Sequence, residues 1–418
     1  MLSFFLLLIP FLQIFGRLDN LNPAFENISF GMFYNYGALI FFGLVFVLFP
    51  KKFKIELIGI VILLLAMLFM NYAVTDLASG KWLINWLGFI FISLVIVHSI
   101  VLLSHREMLA LQNQISNMLK PILIIMIVLM TYVWLLNIDA VAFYFFLSHD
   151  MIVDLLTRGV GIEKQCLGIF ISFPLLAAFC FWRVMSTAAK ALFLIALVIS
   201  LPAILGIRTL ILGTTLVGVW YYISMRSMRR AIFFGSSLPL LVVGYMYSTE
   251  ILDLVQKAYD RFSSLQFALS TLLSNPFGLG NGGYQLFVEN NNDVLVALFG
   301  SEMIVKNGLF WAAPESDLVY FIASWGVLSI VFFGFFTYFL LRSGNLLRSR
   351  DSFLPIEKTF ILMSWMMIFM GISQDNAGGL IWWVYMAAGY GVTLRHQRKR
   401  LTQAPSPKNL DDSGLLLA

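Results

Sequence analysis

Residues 313–334 read APESDLVYFIASWGVLSIVFFG, Ala313 to Gly334. Glu315, Ser316 and Asp317 stand directly before an apolar run that opens at Leu318. A helix of about 20 such residues crosses about 30 Å of hydrocarbon, so the stretch reads as a polar rim leading into a membrane span. Runs of the same kind recur along almost the whole chain, separated mostly by short polar breaks. Only helices satisfy a backbone in such runs. Of 418 residues, 60% are hydrophobic and 12% charged, with a mean hydropathy of +0.88; soluble domains are roughly half apolar and a quarter charged. The expected fold is therefore all-α, a polytopic membrane helix bundle of about 12 transmembrane helices with one long outer loop.

The spans are expected to start near Met1, Gly31, Ile55, Leu83, Pro121, Cys166, Ala191, Thr209, Ala231, Leu318, Thr359 and Leu380. Residues 1–400 then form one transmembrane domain, and 401–418, with Pro405, Pro407 and Asp411, read as a disordered tail. The N-terminal run has no basic segment and no small-residue cleavage site before Arg17, so it is expected to stay as an anchor. Orientation follows from basic residues, which gather in short cytoplasmic loops. Nineteen of the 27, among them Lys51, Arg106, Arg183, Arg229, Arg348 and Arg398, fall on alternate breaks. Sixteen of the 22 acids fall on the other side, which makes both termini cytoplasmic. The net charge of +5 records this asymmetry. A basic face against anionic lipid accounts for it, and no nucleic-acid partner is expected.

Several chemistries lack their parts. His98, His105, His149 and His396 lie on separate segments without metal-ligand spacing, and there is neither a Walker-type loop nor a DxD motif. No metal and no cofactor is expected. Cys166 and Cys180 share the sixth span, fourteen residues apart, too distant for a disulfide.

The one long polar insert runs from about Thr249 to Asp317 and contains NPFGLGNGGYQLF, Asn275 to Phe287, with four glycines and a proline. Charges on the outer side are few, and a charge at the rim of a membrane bundle persists mainly where it is paired, solvated or used. Arg208 interrupts ILGIRTLILG between two spans with no room for a loop; it either faces inward as a permanent cation or snorkels to headgroups. Arg158 and Glu163, in DLLTRGVGIEKQ, form a local ion pair or line a binding site. Arg261 lies on an amphipathic pattern, Leu254, Ala258, Phe262, Leu265, Ala268 and Leu272, and is a surface charge or a ligand contact. Three guanidiniums converging would suit a diphosphate, because each offers a planar fork of donors. Glu315 or Asp317, partly desolvated by Trp311, Tyr320 and Trp325, would serve as a general base; a helix N-cap by Ser316 or Asp317 fits PESD as well.

The order of these features resembles the O-antigen polymerase and O-antigen ligase superfamily. An arginine stands between two outer-facing spans, a long outer loop opens with a helix carrying Arg261-Phe262, NPFGLGNGGY follows, and an acidic element leads into a span containing Gly326. The resemblance covers Met151 to Leu341 in motif order and the whole chain in topology. It implies a GT-C-like bundle in a bacterial inner (cytoplasmic) membrane. Its substrate there would be an undecaprenyl-pyrophosphate-linked oligosaccharide at the periplasmic face, with a flippase and a chain-length regulator of the same pathway as partners. Arg208 and Arg261 would hold the donor pyrophosphate, Arg158 and Glu163 would line the same cavity, and Asn281 and Tyr284 would meet the glycan. The ligase branch carries a histidine where this chain has Glu315, ten intervening residues before Gly326; the polymerase element reads Ser-Asp, as Ser316-Asp317 does. A lipid-linked oligosaccharide flippase is expected instead to show internal repeats, and a shape-determining peptidoglycan polymerase carries motifs not found here.

Overall fold

In the computed structural model the described residues are 55–74, 80–136, 164–206, 208–224, 271–280, 316–349, 353–371 and 380–403, with Ile40, Leu265, Ala268 and Leu269. Among them every regular element is helical and no strand occurs. The helices are α1 (Ile55–Val74), α2 (Gly80–Leu102), α3 (His105–Leu136), α4 (Lys164–Phe181), α5 (Thr187–Gly206), α6 (Arg208–Ser224), α7 (Asp317–Trp325), α8 (Ser329–Ser349), α9 (Pro355–Gly371) and α10 (Leu380–Gln403). The spans expected near Met1, Gly31 and Ala231 lie outside the described residues.

Among the described residues two stretches, His105–Tyr132 and Asp317–Arg348, are long and apolar enough to cross a membrane by length and composition. Around them large apolar side chains stand exposed, including Phe69 on α1, Val128 on α3, Val198 on α5 and Ile330 on α8. Apolar surface of this extent is what an aqueous protein covers and a membrane-associated one presents to lipid.

Helix α9 is the centre of the bundle. It is buried on nearly all sides, from Ile356 to Gly371, as a helix that is apolar all round should be. Helices α4, α6 and α10 pack on it, and α2 covers the far side of α10. Glycine lets α10 approach both neighbours: a Cβ on Gly389 would strike Ser364 of α9, and one on Gly391 would crowd Val97 and Ile100 of α2. Close approach through small residues is the ordinary way apolar helices associate without water to drive them together. The Ser364 hydroxyl also donates to the Tyr385 carbonyl at 2.6 Å, and the Trp365 indole N–H donates to Ser343 of α8 at 2.8 Å.

Two spans differ from expectation. The fifth does not open at Pro121; α3 begins at His105 and carries Pro121 in its interior. Ser104 and Glu107 form a reciprocal capping box, with the Ser104 N–H donating to the Glu107 carboxylate at 2.7 Å and the Glu107 N–H to the Ser104 hydroxyl at 3.2 Å. Beyond it Met108, Leu111, Ile115, Leu119, Ile122 and Met126 make one buried stripe through the proline. The tenth span is not one helix either, because α7 and α8 are separated at Gly326–Leu328.

The ends of α2, α9 and α10 that come together contain a buried ionic group. Glu357, at the start of α9, binds Arg395 Nη1 and lies 3.1 Å from His396 Nε2. Arg395 Nε donates to the Leu103 carbonyl at 3.0 Å, and the Leu354 N–H donates to Glu357 at 3.0 Å. Glu357 and Arg395 are each 2% exposed. Burial alone would raise the Glu357 pKa; the hydrogen bond and charge of His396, the Leu354 N–H and Arg395 outweigh it and hold the carboxyl below its ordinary 4.5. Its stabilising contribution is therefore complete above pH 4.5 and is lost as the pH falls through the lower value of the folded protein. Glu357→Ala, which strands a buried guanidinium, is expected to cost about 3–5 kcal/mol at pH 7. Thermal melts of the detergent-solubilised protein at pH 7 and below pH 4 check this: the gap between wild type and Glu357→Ala should narrow in acid.

Candidate functional site

Helix α7 stops inside the apolar bundle. Gly326 follows Trp325 with φ 55° and ψ −131°, a backbone conformation that excludes other residues, and one 3₁₀ turn to Leu328 leads into α8. A helix end leaves its last carbonyls without intrahelical donors, and away from water each must find another. Here the Gly326 N–H donates to Ile322, the Leu279 N–H to Ala323 at 2.8 Å, and the Gly280 N–H to Ser324 at 3.1 Å. In return the Val327 N–H donates to the Pro276 carbonyl at 2.8 Å. The glycine stretch Asn275 to Gly280 is thus laid across the break, backbone to backbone.

Contact this close needs glycine on both partners. Gly278 has φ 87°, and a Cβ there would run into the Ser324 and Trp325 backbone; a Cβ on Gly326 would run into Pro276 and Gly278. Asn71, near the end of α1 and 1% exposed, completes the joint. Its carboxamide donates to the Phe277 carbonyl at 3.0 Å and to the Ser324 carbonyl.

The side of α7 is held by aromatic rings. Trp86 of α2 donates its indole N–H to the Tyr320 hydroxyl at 2.9 Å and lies 5.0 Å from the rings of both Trp325 and Trp383. Phe321 stacks on Phe332 of α8 at 4.6 Å across the break.

At the other end of α7, Ser316 is the N-cap: its backbone is extended and its hydroxyl accepts from the Val319 N–H at 3.2 Å. That leaves Asp317 at the first helical position, 6% exposed, with its carboxyl lying over the Cα of Gly371 at the end of α9. Any side chain on Gly371 would occupy the same space. A carboxylate at a helix N-terminus is favoured by the helix dipole by about 0.3–1 kcal/mol. Asp317 is therefore a buried acid at a helix mouth, the cap itself being supplied by Ser316.

Of the other sequence-predicted residues, Arg208 is the first residue of α6, two positions past the end of α5 at Gly206, which is the abrupt junction its neighbours imply. Its side chain lies outside the described residues, as do Arg158, Glu163, Arg261, Asn281, Tyr284, Glu315 and Trp311. The structure joins NPFGLG and the PESD helix, 36 positions apart from Gly280 to Ser316, through the C-terminal end of that helix. Asp317 is at the opposite end, about 12 Å away along nine residues. Sequence reasoning missed Asn71, Trp86 and Gly371. Asn71 carried a usable signal, a carboxamide inside the apolar run AMLFMNYAV of α1. Comparison with known proteins gives no match: no family model fits the chain, and neither a curated protein nor a solved structure matches it.

The interlock generates a contrast among glycines. Gly326→Ala forces a disfavoured backbone against Pro276 and is expected to cost at least about 1–3 kcal/mol. Gly59→Ala and Gly334→Ala, on α1 and α8, meet nothing within 4 Å and should leave stability equal or slightly raised. Melting temperatures of the three purified variants test the assignment; equal losses in all three would contradict it.

Proposed function

We propose that this chain is a multi-pass membrane glycosyltransferase, a polymerase of undecaprenyl-pyrophosphate-linked repeat units working at the periplasmic face of a bacterial inner membrane. The observation that carries the reading is Asp317: a buried carboxyl at the mouth of a broken, apolar helix whose cap is supplied by Ser316, in a Ser-Asp element of the polymerase kind. The fixing of NPFGLG to the same helix supports it.

In the proposed reaction a hydroxyl of the incoming lipid-linked repeat unit attacks the anomeric carbon of the growing chain. The bond from that carbon to the pyrophosphate oxygen breaks with its electron pair, the new glycosidic bond forms, and the hydroxyl proton passes to Asp317 or Glu315. Arg208 and Arg261, with Arg158 beside them, stabilise the departing pyrophosphate, and the loop bearing Asn281 and Tyr284 holds glycan and excludes water. Orientation and preorganised charge are the enzyme's contribution, since a pyrophosphate leaving group is already activated. Transfer to lipid A core, the ligase alternative, is disfavoured by Glu315 in place of histidine.

Deletion of the gene followed by electrophoresis of surface polysaccharide should give glycan truncated to a single repeat unit. Lipid-linked polymer accumulating with no attached glycan would establish the ligase instead. In the complemented strain Arg208→Ala and Arg261→Ala should each abolish polymer at normal protein level. Asp317→Asn and Glu315→Gln separate the two bases; full polymer from both would leave the acids without a chemical role.

A further inference from the structure

Asn71 is the polar side chain that joins three separate parts of the chain, α1, the glycine stretch and the end of α7. One nitrogen, Nδ2, faces both the Phe277 and the Ser324 carbonyls, so each of its two hydrogens has an acceptor. Few side chains can do this. A serine or threonine hydroxyl has one hydrogen and would serve one carbonyl, an aspartate has none, and a lysine or arginine would bring a charge into an apolar interior. The backbone bonds of Leu279 and Gly280 to α7 already close the helix end, and Gly326 already satisfies Ile322. What Asn71 adds is a reference to a third element: it fixes the joint relative to α1.

We propose that Asn71 is a positioning residue for glycosyl transfer, holding the glycine stretch in one register on the broken helix α7, whose first residue is Asp317. The inference rests on the polymerase reading. A misplacement of about 1 Å far from the reacting atoms can cost about 100-fold in rate, and removing a two-carbonyl bridge at the root of a loop is a displacement of that kind.

The test uses the purified full chain in three forms, wild type, Asn71→Ser and Asn71→Asp, with three readouts. Hydrogen exchange reports the amides of Leu279 and Gly280, thermal melting reports the bundle, and polymerisation of lipid-linked repeat units gives kcat and KM. In wild type the two amides should be protected. In Asn71→Asp their exchange should rise at least about tenfold and kcat should fall about 100-fold, with KM changed much less and the exchange of α9 unchanged; Asn71→Ser should lie between. Protected amides in Asn71→Asp, or wild-type kcat with deprotected amides, would overturn the proposal. So would a matched loss of protection in α9 and in the loop, which marks a fold-wide role. Should Asn71→Asp fail to insert, Asn71→Ser decides by the same criteria. A wild-type protein that forms no polymer removes the polymerase reading itself, an outcome distinct from any difference among the variants.

Discussion

A backbone carbonyl without a donor in an apolar interior costs several kcal/mol, and α7 ends among buried residues, Ser324, Trp325 and Gly326. The arrangement around it follows from that constraint. Donors have to come from another segment of chain, and only a segment without side chains at the points of contact can approach closely enough, which accounts for Gly278 opposite Ser324 and Gly326 opposite Pro276. Once that segment is in place its own carbonyls at Pro276 and Phe277 need donors, and Val327 and Asn71 provide them. The joint closes on itself. Each partner's leftover valence is the other's requirement, so the glycine stretch and the break in the helix are two halves of one feature.

The two ends of the bundle solve burial differently. Where α2, α9 and α10 meet, the chain buries a carboxylate with a guanidinium and an imidazole, and the charges are matched by one another and by the Leu103 carbonyl. Breaking such a set is costly because one ion is left unpaired. Among the described residues, the carbonyls at the C-terminal end of α7 are met by backbone amides and by the Asn71 carboxamide.

How legible this was depended on the period of each signal. Helices starting near Ile55, Cys166, Ala191, Thr209, Thr359 and Leu380 could be placed to within a few residues because each is a long apolar run bounded by polar breaks. The start of α3 was hidden because Pro121 and Lys120 resemble a boundary, although Ser104 and Glu107 already spelled out a capping box sixteen residues earlier. The break at Gly326 was invisible, since an apolar run reads the same whether its helix is continuous or interrupted; the clue was a second glycine motif requiring a partner. PESD was read both as cap and as acid, and the fold assigns one role to each residue, Ser316 to the cap and Asp317 to the buried carboxyl. Asn71 and Gly371 act through residues about 250 and 50 positions away, and no local pattern carries that information.

The joint also constrains the polar insert that follows it. The chain departs from Gly280, bonded to the C-terminal end of α7, and returns at Ser316, the cap of the N-terminal end. Whatever lies between them, 35 residues from Asn281 to Glu315, begins and finishes on one nine-residue helix, two points about 12 Å apart. Closing a segment of this length has an entropic cost that grows only slowly with the number of residues, and here both attachment points are fixed by the same short rod. The interruption at Gly326 is what makes the first attachment possible: a helix continuous through it would leave no carbonyls for Leu279 and Gly280.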